Sequence, residues 1–448
     1  MRGWARRAAS LHDEMTAVCE TDPRWWLLAG SVAIAEPFAR QDDYVRSDAE
    51  PGADTFIGYR AARPADPYAD AIARACAARD ALRELDGELP DQPLAVTVDG
   101  RTGASLAPNA LDVAAFAIGA RVTLGRLDDP HLLDRLRRGD SIVTARVAGT
   151  PFVCVSIGDD PIETARHAHR RAWTDRGGPW LGLGRTGELA TVSTCHFVVD
   201  GYGHARITGR IAELAGSPAN GPNGPNGHLP PLAPVAGAIA LGVAWRPLDR
   251  PVAGALRMAY ALGRLLHRRG RKDARFSPTF QIPIAPGARD DPMRRRRRGV
   301  PAIASVRFDG GTPEPYDTFA ARTREALARE ARGAGLVTRL ISAARAVPVP
   351  LAWKRKSVAA TRPRWMDKFA DVIGGRACLS RVVVDAPLPP ACAVSSPARL
   401  ATPDDPLGGC VITVLDDGTH AAITACGSGL AGDARSADAL LDELLALL

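Results

Sequence analysis

The segment ELATVSTCHFVVDGYGHARITGRIAEL (188–214) decides how the rest of the chain is read. In its first third Leu189, Thr191, Ser193 and Cys195 alternate with Ala190, Val192, Thr194 and His196, a β-branched, period-two pattern that predicts a strand. After Gly201 the residues Ala205, Ile207, Ile211 and Leu214 recur at helical spacing, and the segment ends in Ala-Gly before a Pro/Asn/Gly tract. A strand therefore delivers His196 to a tight turn at Asp200-Gly201, and a helix leaves it. An imidazole with a pKa of about 6.5 is the side chain best matched to take a proton near neutral pH, so the residue type in this setting points to a general base. Gly201 permits the close turn. Asp200, past the strand end, suits a structural ion pair with an arginine better than a contact with substrate.

Outward from this segment, 448 residues with 46% hydrophobic content fit two domains of ordinary size, whose cores draw on Ala, Val, Leu and Ile because aromatics are only 5%. The tract GSPANGPNGPNGHLPPLAPV (216–235) contains almost nothing that could pack and reads as a linker. It divides the chain into an N-terminal half, 1–215, that carries His196 and a C-terminal half, 236–448. A net charge of +7 and a pI of about 9.2 favour anionic partners without choosing among them. The eight cysteines are scattered with no C-x-x-C pair, which reads as buried free thiols in a reducing compartment. No stretch reaches membrane-spanning length and the N-terminus lacks the pattern of a signal peptide, so the expected location is cytoplasmic.

Helices are predicted over 66–86, 129–139, 161–177, 250–272, 314–332, 335–346 and 350–371, with one more closing the chain. Strands are predicted at 93–100, 141–147, 151–157, 276–286, 301–308 and 377–384, and a hairpin turns at Asp416-Asp417-Gly418. The end of the chain repeats the opening segment. Aligning ATVSTCHFVVDG (190–201) with AAITACGSGLAG (421–432) superposes Cys195 on Cys426, His196 on Gly427 and Gly201 on Gly432. Only the first copy has the histidine and aspartate, so one half supplies the base and the other a wall for it.

The string CHFVVDGYGHARITGRIAEL, with its His-x-x-x-Asp-Gly core, resembles the active-site strand and helix of chloramphenicol acetyltransferase and its superfamily: condensation domains of peptide synthetases, wax ester synthase/diacylglycerol acyltransferases and dihydrolipoyl acyltransferases. The layout of ACLSRVVVDAP (377–387), PLGGCVITVLDDGTHAAITAC (406–426) and the final helix resembles the wax ester synthase group most. The resemblance implies an α/β fold of two acyltransferase-like subdomains, each a mixed, mostly antiparallel sheet with packed helices, and a tunnel between them. It also implies direct transfer of an acyl group from a thioester to a hydroxyl or amine, with acyl-CoA as co-substrate and no tightly bound cofactor. His196 is the base in this scheme. Ser380, on its Leu-Ser strand, is the donor to the oxyanion, and Asp200 and Gly201 are structural. Cys154 occupies the place in the first half that Ser380 occupies in the second, and Cys195, Tyr202 and Cys154 are candidate pocket residues. The sequence departs from the pattern where Cys195 replaces the first histidine of the usual pair, where Arg381 replaces an asparagine, and where the glycines of the usual Asn-Val-Pro-Gly segment are absent.

The resemblance implies acyl-CoA or an acyl carrier protein as donor and a small molecule or lipid as acceptor, with peripheral membrane contact compatible with the charge and a monomer or dimer expected. A carrier-dependent, condensation-like amide or ester synthase is the alternative, and a catalytically silent binding module of the same fold is a third. A Cys195 nucleophile is disfavoured because successive strand side chains point to opposite faces. His167, His169, His196 and His204 lack carboxylate or cysteine companions at ligand spacing, so no metal is expected. The arginine run 294–298 has no interleaved aromatics and predicts no nucleic-acid binding. From Trp245 to Arg289 there are ten Lys/Arg against Asp249 and Asp273, the better candidate for meeting phosphates of coenzyme A or an acidic carrier domain.

Overall fold

The computed structural model describes residues 55–86, 94–98, 121–125, 153–157, 181–194, 201–216, 227–228, 242–248, 254–269, 279–284, 302–308, 314–332, 377–384, 391–395, 409–418, 421–427 and 434–448, together with Pro130, His131, Leu133, Asp134 and Arg137. The helices expected at 161–177, 335–346 and 350–371, the strand at 141–147 and the arginine run lie outside these residues.

Two seven-stranded mixed sheets with helices packed on them give the α/β architecture. The first contains β1 (Thr55–Arg60), β2 (Leu94–Val98), β3 (Arg121–Gly125), β4 (Val153–Ile157), β5 (Leu181–Thr186) and β6 (Leu189–Thr194), and in the order β12-β1-β6-β5-β4-β2-β3 it also takes in β12 (Ala391–Ser395). The second contains β7 (Gly227–His228), β8 (Gly242–Leu248), β9 (Thr279–Ile284), β10 (Ala302–Arg307), β11 (Ala377–Val383), β13 (Cys410–Asp416) and β14 (Ala421–Gly427), in the order β10-β9-β11-β13-β14-β8-β7. In each, four of the six pairings are antiparallel, the exceptions being β5 with β4 and β4 with β2 in one and β13 with β11 and β11 with β9 in the other. Among the described residues, β12 is the strand beyond 216 that joins the first sheet.

The helices among the described residues are α1 (Pro67–Asp86), α2 (Gly201–Leu214), α3 (Ala255–Arg269), α4 (Tyr316–Ala331) and α5 (Ala434–Leu445). α1 starts where Asp66 Oδ1 accepts from the Tyr68 and Ala69 amides at 2.9 and 3.2 Å, with Pro67 in the first helical position where its missing N–H costs nothing. It packs alanines, Ala71, Ala75 and Ala78, onto Ile57, Leu183, Ala190 and Val192, and α2 adds Ala205, Ile207 and Ile211 to the same core. Each large aliphatic side chain buried here contributes about 1.5–3 kcal/mol. Among them sits Arg74, 1% exposed, whose guanidinium donates to the carbonyls of Gly184 at 2.7 Å and Thr191 at 3.1 Å and lies 6.0 Å from the Tyr59 ring centroid. These bonds offset its desolvation and tie α1 to β5 and β6.

The second core is aromatic where the first is alanine-rich. Tyr260 of α3 meets Phe308 and Phe319 at ring centroids 5.7 and 5.4 Å away, and Gly263 lets α3 lie directly against Phe308. A Cβ on Gly263 would stand 2.5 Å from Phe308 Cδ2. The expected hairpin is present between β13 and β14, where Gly418 has φ 85° and its amide donates to Asp416 Oδ1 at 2.9 Å. β5 escapes the sequence pattern, since Gly182 and Gly184 alternate with Leu181 and Leu183 and supply no β-branched signal; it joins β6 through a tight turn with Gly187 at φ 53°.

Candidate active site

β6 ends at Thr194 and α2 begins at Gly201. Cys195, His196 and Asp200 fall between and lie outside the described residues, but both supports of that segment are in view. β6 is flanked by β1 and β5, and its Val192 carbonyl accepts a hydrogen bond from His204 Nε2 at 2.8 Å. α2 buries Tyr202, His204, Ala205, Ile207 and Thr208 against the first core, and the Arg206 guanidinium lies 5.6 Å from the Tyr202 ring centroid.

The first residue of α2 is seated on the second half. A Cβ on Gly201 would stand 3.0 Å from Val382 Cγ2 of β11, a contact that only a glycine accommodates without displacing the valine. Ser380 lies two residues earlier on β11, hence on the same face of the sheet and about 7 Å along the strand. It is half-buried and heads a row of hydroxyls, Ser380 opposite Thr413 and Thr413 opposite Thr424. Thr424 Oγ1 accepts from the Ala393 amide of β12 at 3.0 Å, so this face of the second sheet is turned toward the strand it lends to the first. Val382, Val384 and Leu415 extend the first core alongside Tyr202.

Cys154 sits on β4, and β5 intervenes between it and β6, its register partner being Gly182. Arg381, which stands where an asparagine was expected, alternates to the face opposite Ser380 and donates to Asp416 Oδ2 at 2.5 Å, with the Asp416 side chain 5% exposed. The departure at 381 is thus absorbed by a part-buried ion pair on the opposite face of β11. Several described arginines of the basic segment 245–289 are engaged within the second half. Arg246 pairs with Asp438 and Asp442 and Arg269 with Glu443, all from α5, while the guanidiniums of Arg257 and Arg264 lie over Tyr316 and Tyr260 at 5.5 and 6.0 Å. Counting acids within the segment misses partners some 170 or more residues away.

Cys410 and Cys426 are buried, and burial pushes the Cys410 thiol up to about 12 despite the nearby Arg269, so it is inert rather than nucleophilic. Among the described residues no three His, Cys, Asp or Glu side chains converge as metal ligands, and no helix is long and apolar enough to cross a membrane.

No protein-family model and no curated protein matches the chain. Solved structures do. The starter condensation domain of rhizomide synthetase RzmA is 12% identical, with 93% of this chain and 94% of that one covered and a TM-score of 0.39. SgcC5 from Streptomyces globisporus is 13% identical, covering 93% and 97% at a TM-score of 0.38. The EpoB cyclization-docking bidomain from Sorangium cellulosum is 10% identical, covering 93% and 83% at a TM-score of 0.45. Identities and scores this low leave function to be argued from the residues of the chain itself.

Proposed function

We propose that this chain is an acyltransferase that moves an acyl group from a phosphopantetheine thioester, carried by an acyl carrier protein or by coenzyme A, to an amine or hydroxyl. His196 removes the acceptor's proton as its nitrogen or oxygen attacks the thioester carbonyl. The Ser380 hydroxyl donates to the oxyanion, and the collapsing intermediate expels a thiolate that recovers the proton from the imidazolium. One acyl–sulfur bond breaks, one amide or ester bond forms, and the thiol leaves neutral, with no acyl-enzyme. Asp200 and Gly201 hold the turn.

The observation that supports this reading is the seating of Gly201 against Val382, which brings the start of the helix after the histidine segment to the strand and face that bear Ser380. The outward-facing remainder of the basic helix α3, Arg268 above all, suits either phosphate-bearing donor.

The test compares wild type with His196→Ala on acyl-CoA and on an acylated carrier protein, each with amine and alcohol acceptors. Loss of a general base lowers turnover by roughly 10²–10⁴-fold. Undiminished transfer in His196→Ala would overturn the assignment. Turnover with only one donor identifies the carrier of the thioester, and no turnover by wild type with either favours the silent binding module.

A further inference from the structure

Two buried arginines on the helix-covered face of the first sheet share one carboxylate. Arg74 of α1 is 1% exposed and Arg185 of β5 is 2% exposed. Asp70, one turn before Arg74, brings its Oδ2 to 3.7 Å from Arg185 Nε, close enough to attract but too far for a hydrogen bond. Tyr59 of β1 is the fourth member of the group. It pairs with Ala190 of β6, which pairs in turn with Arg185, so the phenol and the guanidinium stand in one row with only a methyl between them, under the alanines of α1. Arg74 reaches this row from the helix: its Nη1 donates to the carbonyl of Gly184, the neighbour of Arg185, and its Cζ lies 6.0 Å from the Tyr59 ring centroid. Glu188 does not serve as a second buried carboxylate, since its side chain is 61% exposed and meets Arg60.

The bonds these groups make leave donors over. Arg185 Nη2 donates to the Ala62 carbonyl, and Arg74 spends both terminal nitrogens on carbonyls. Arg74 Nε, Arg185 Nε and Nη1, and Tyr59 Oη are buried with no hydrogen-bond partner among the described residues. The charges do not balance either. Burial pushes the Arg185 pKa down, with Asp70 opposing the shift and the Arg74 charge adding to it. In the second copy the row Leu248, Ala421, Asp416 falls on Tyr59, Ala190, Arg185, and there the one charge is met directly: Asp416 accepts from Arg381 on Oδ2 and from the Gly418 amide on Oδ1. A water molecule under α1 would satisfy an N–H but leave the surplus positive charge buried, whereas an anion answers both. We propose that Arg74 Nε, Arg185 Nη1 and Tyr59 Oη hold one monatomic anion, chloride in ordinary buffers, between α1 and the first sheet. Enclosure sets its size, because all three side chains that bind it are buried. The ion ties α1 to β1 and β5, and the site stands whether or not the transfer chemistry above is right.

The test unfolds the full chain by heat in sodium chloride, sodium bromide and sodium gluconate at matched ionic strength, with wild type beside Tyr59→Phe, which removes one donor and keeps the ring. An ion bound only by the folded protein raises the midpoint in step with the logarithm of its concentration once that exceeds Kd. Chloride and bromide are therefore expected to stabilise the wild type, and gluconate, too large to enter, is not. Tyr59→Phe is expected to need roughly tenfold more chloride for the same shift, the loss of one hydrogen bond to a charged group. Wild-type crystals grown in bromide locate the ion without any variant: an anomalous peak is expected within hydrogen-bond distance of both arginines. Midpoints that respond alike to chloride and gluconate overturn the proposal, as does an undiminished chloride response in Tyr59→Phe. Water alone at the place of the bromide peak overturns it as well.

Discussion

Laid side by side, the two sheets are the same object built twice. β1, β6, β5, β4, β2 and β3 of the first correspond in order and direction to β8, β14, β13, β11, β9 and β10 of the second, and the edge strands β12 and β7 correspond to each other. The match holds to the residue. The offset that superposes Cys195 on Cys426 also superposes Ser193 on Thr424, and following the registers outward, the row Cys154, Gly182, Ser193, Phe56 falls on Ser380, Thr413, Thr424, Trp245. Equivalent positions have diverged in chemistry. The first copy has His196, Asp200 and the His204 bond; the second has hydroxyls along the equivalent row, with Gly427 and Ala431 at the positions that fall on His196 and Asp200. On the function proposed above, the copies divide base and donor between them. Arg185 and Asp416 occupy equivalent places too, and each anchors a buried ionic contact, to Asp70 at 3.7 Å and to Arg381 at 2.5 Å.

The sharpest way to break this comparison is at Ser380. If the second copy supplies the oxyanion donor, Ser380→Ala lowers turnover by on the order of 10²-fold while Ser380→Thr, which restores a hydroxyl, recovers much of it. Steady-state kinetics with the donor that proves competent decides this. A Ser380→Ala enzyme with wild-type kcat would show that the row is structural and that the copies do not divide the chemistry as proposed.

Much of this symmetry was legible in the sequence because it rests on local pattern. β6, β9, β10, β11 and β14 alternate or run apolar, α2 and α5 follow strands at matching intervals, and the Asp-Asp-Gly hairpin announces itself. What stayed hidden is non-local or lacks a signal. β5 hides behind its glycines. Nothing within ACAVS (391–395) says that the strand pairs with β1 rather than with its neighbours in the second sheet. The α5 acids that neutralise Arg246 and Arg269 are invisible to any window along the chain. The motif names His196, but that Gly201 touches Val382 is a fact of packing alone, and it is what links the motif to Ser380.

The copies also differ in how a helix meets its sheet. α1 uses alanines, whereas α3 has Gly263 beneath a phenylalanine ring. Gly263→Ala replaces open backbone with a methyl 2.5 Å from Phe308 Cδ2, and that ring is pinned by Tyr260 and Phe319. Overpacking of this kind costs about 1–3 kcal/mol, against which the better helix propensity of alanine returns up to about 1 kcal/mol. Thermal or denaturant unfolding should show a net loss. A more stable Gly263→Ala would mean the ring moves aside and the second core is looser than its aromatic packing implies.

The smallest expected effects come from the equivalent pair Ser193 and Thr424, and they are the finest test of divergence at one position. Thr424 Oγ1 accepts from the Ala393 amide, an outward-facing donor of the edge strand β12, whereas Ser193 Oγ is buried with no hydrogen-bond partner among the described residues. Thr424→Val keeps the shape and strands the amide, which costs about 1–3 kcal/mol. Ser193→Ala removes a hydroxyl that is already unpaired, so its effect is close to zero and can be slightly stabilising. Unfolding curves of the two variants, read on the same day in the same buffer, should therefore separate clearly. Equal losses would mean that Ser193 has a partner, and that the two rows are closer in chemistry than their side chains suggest.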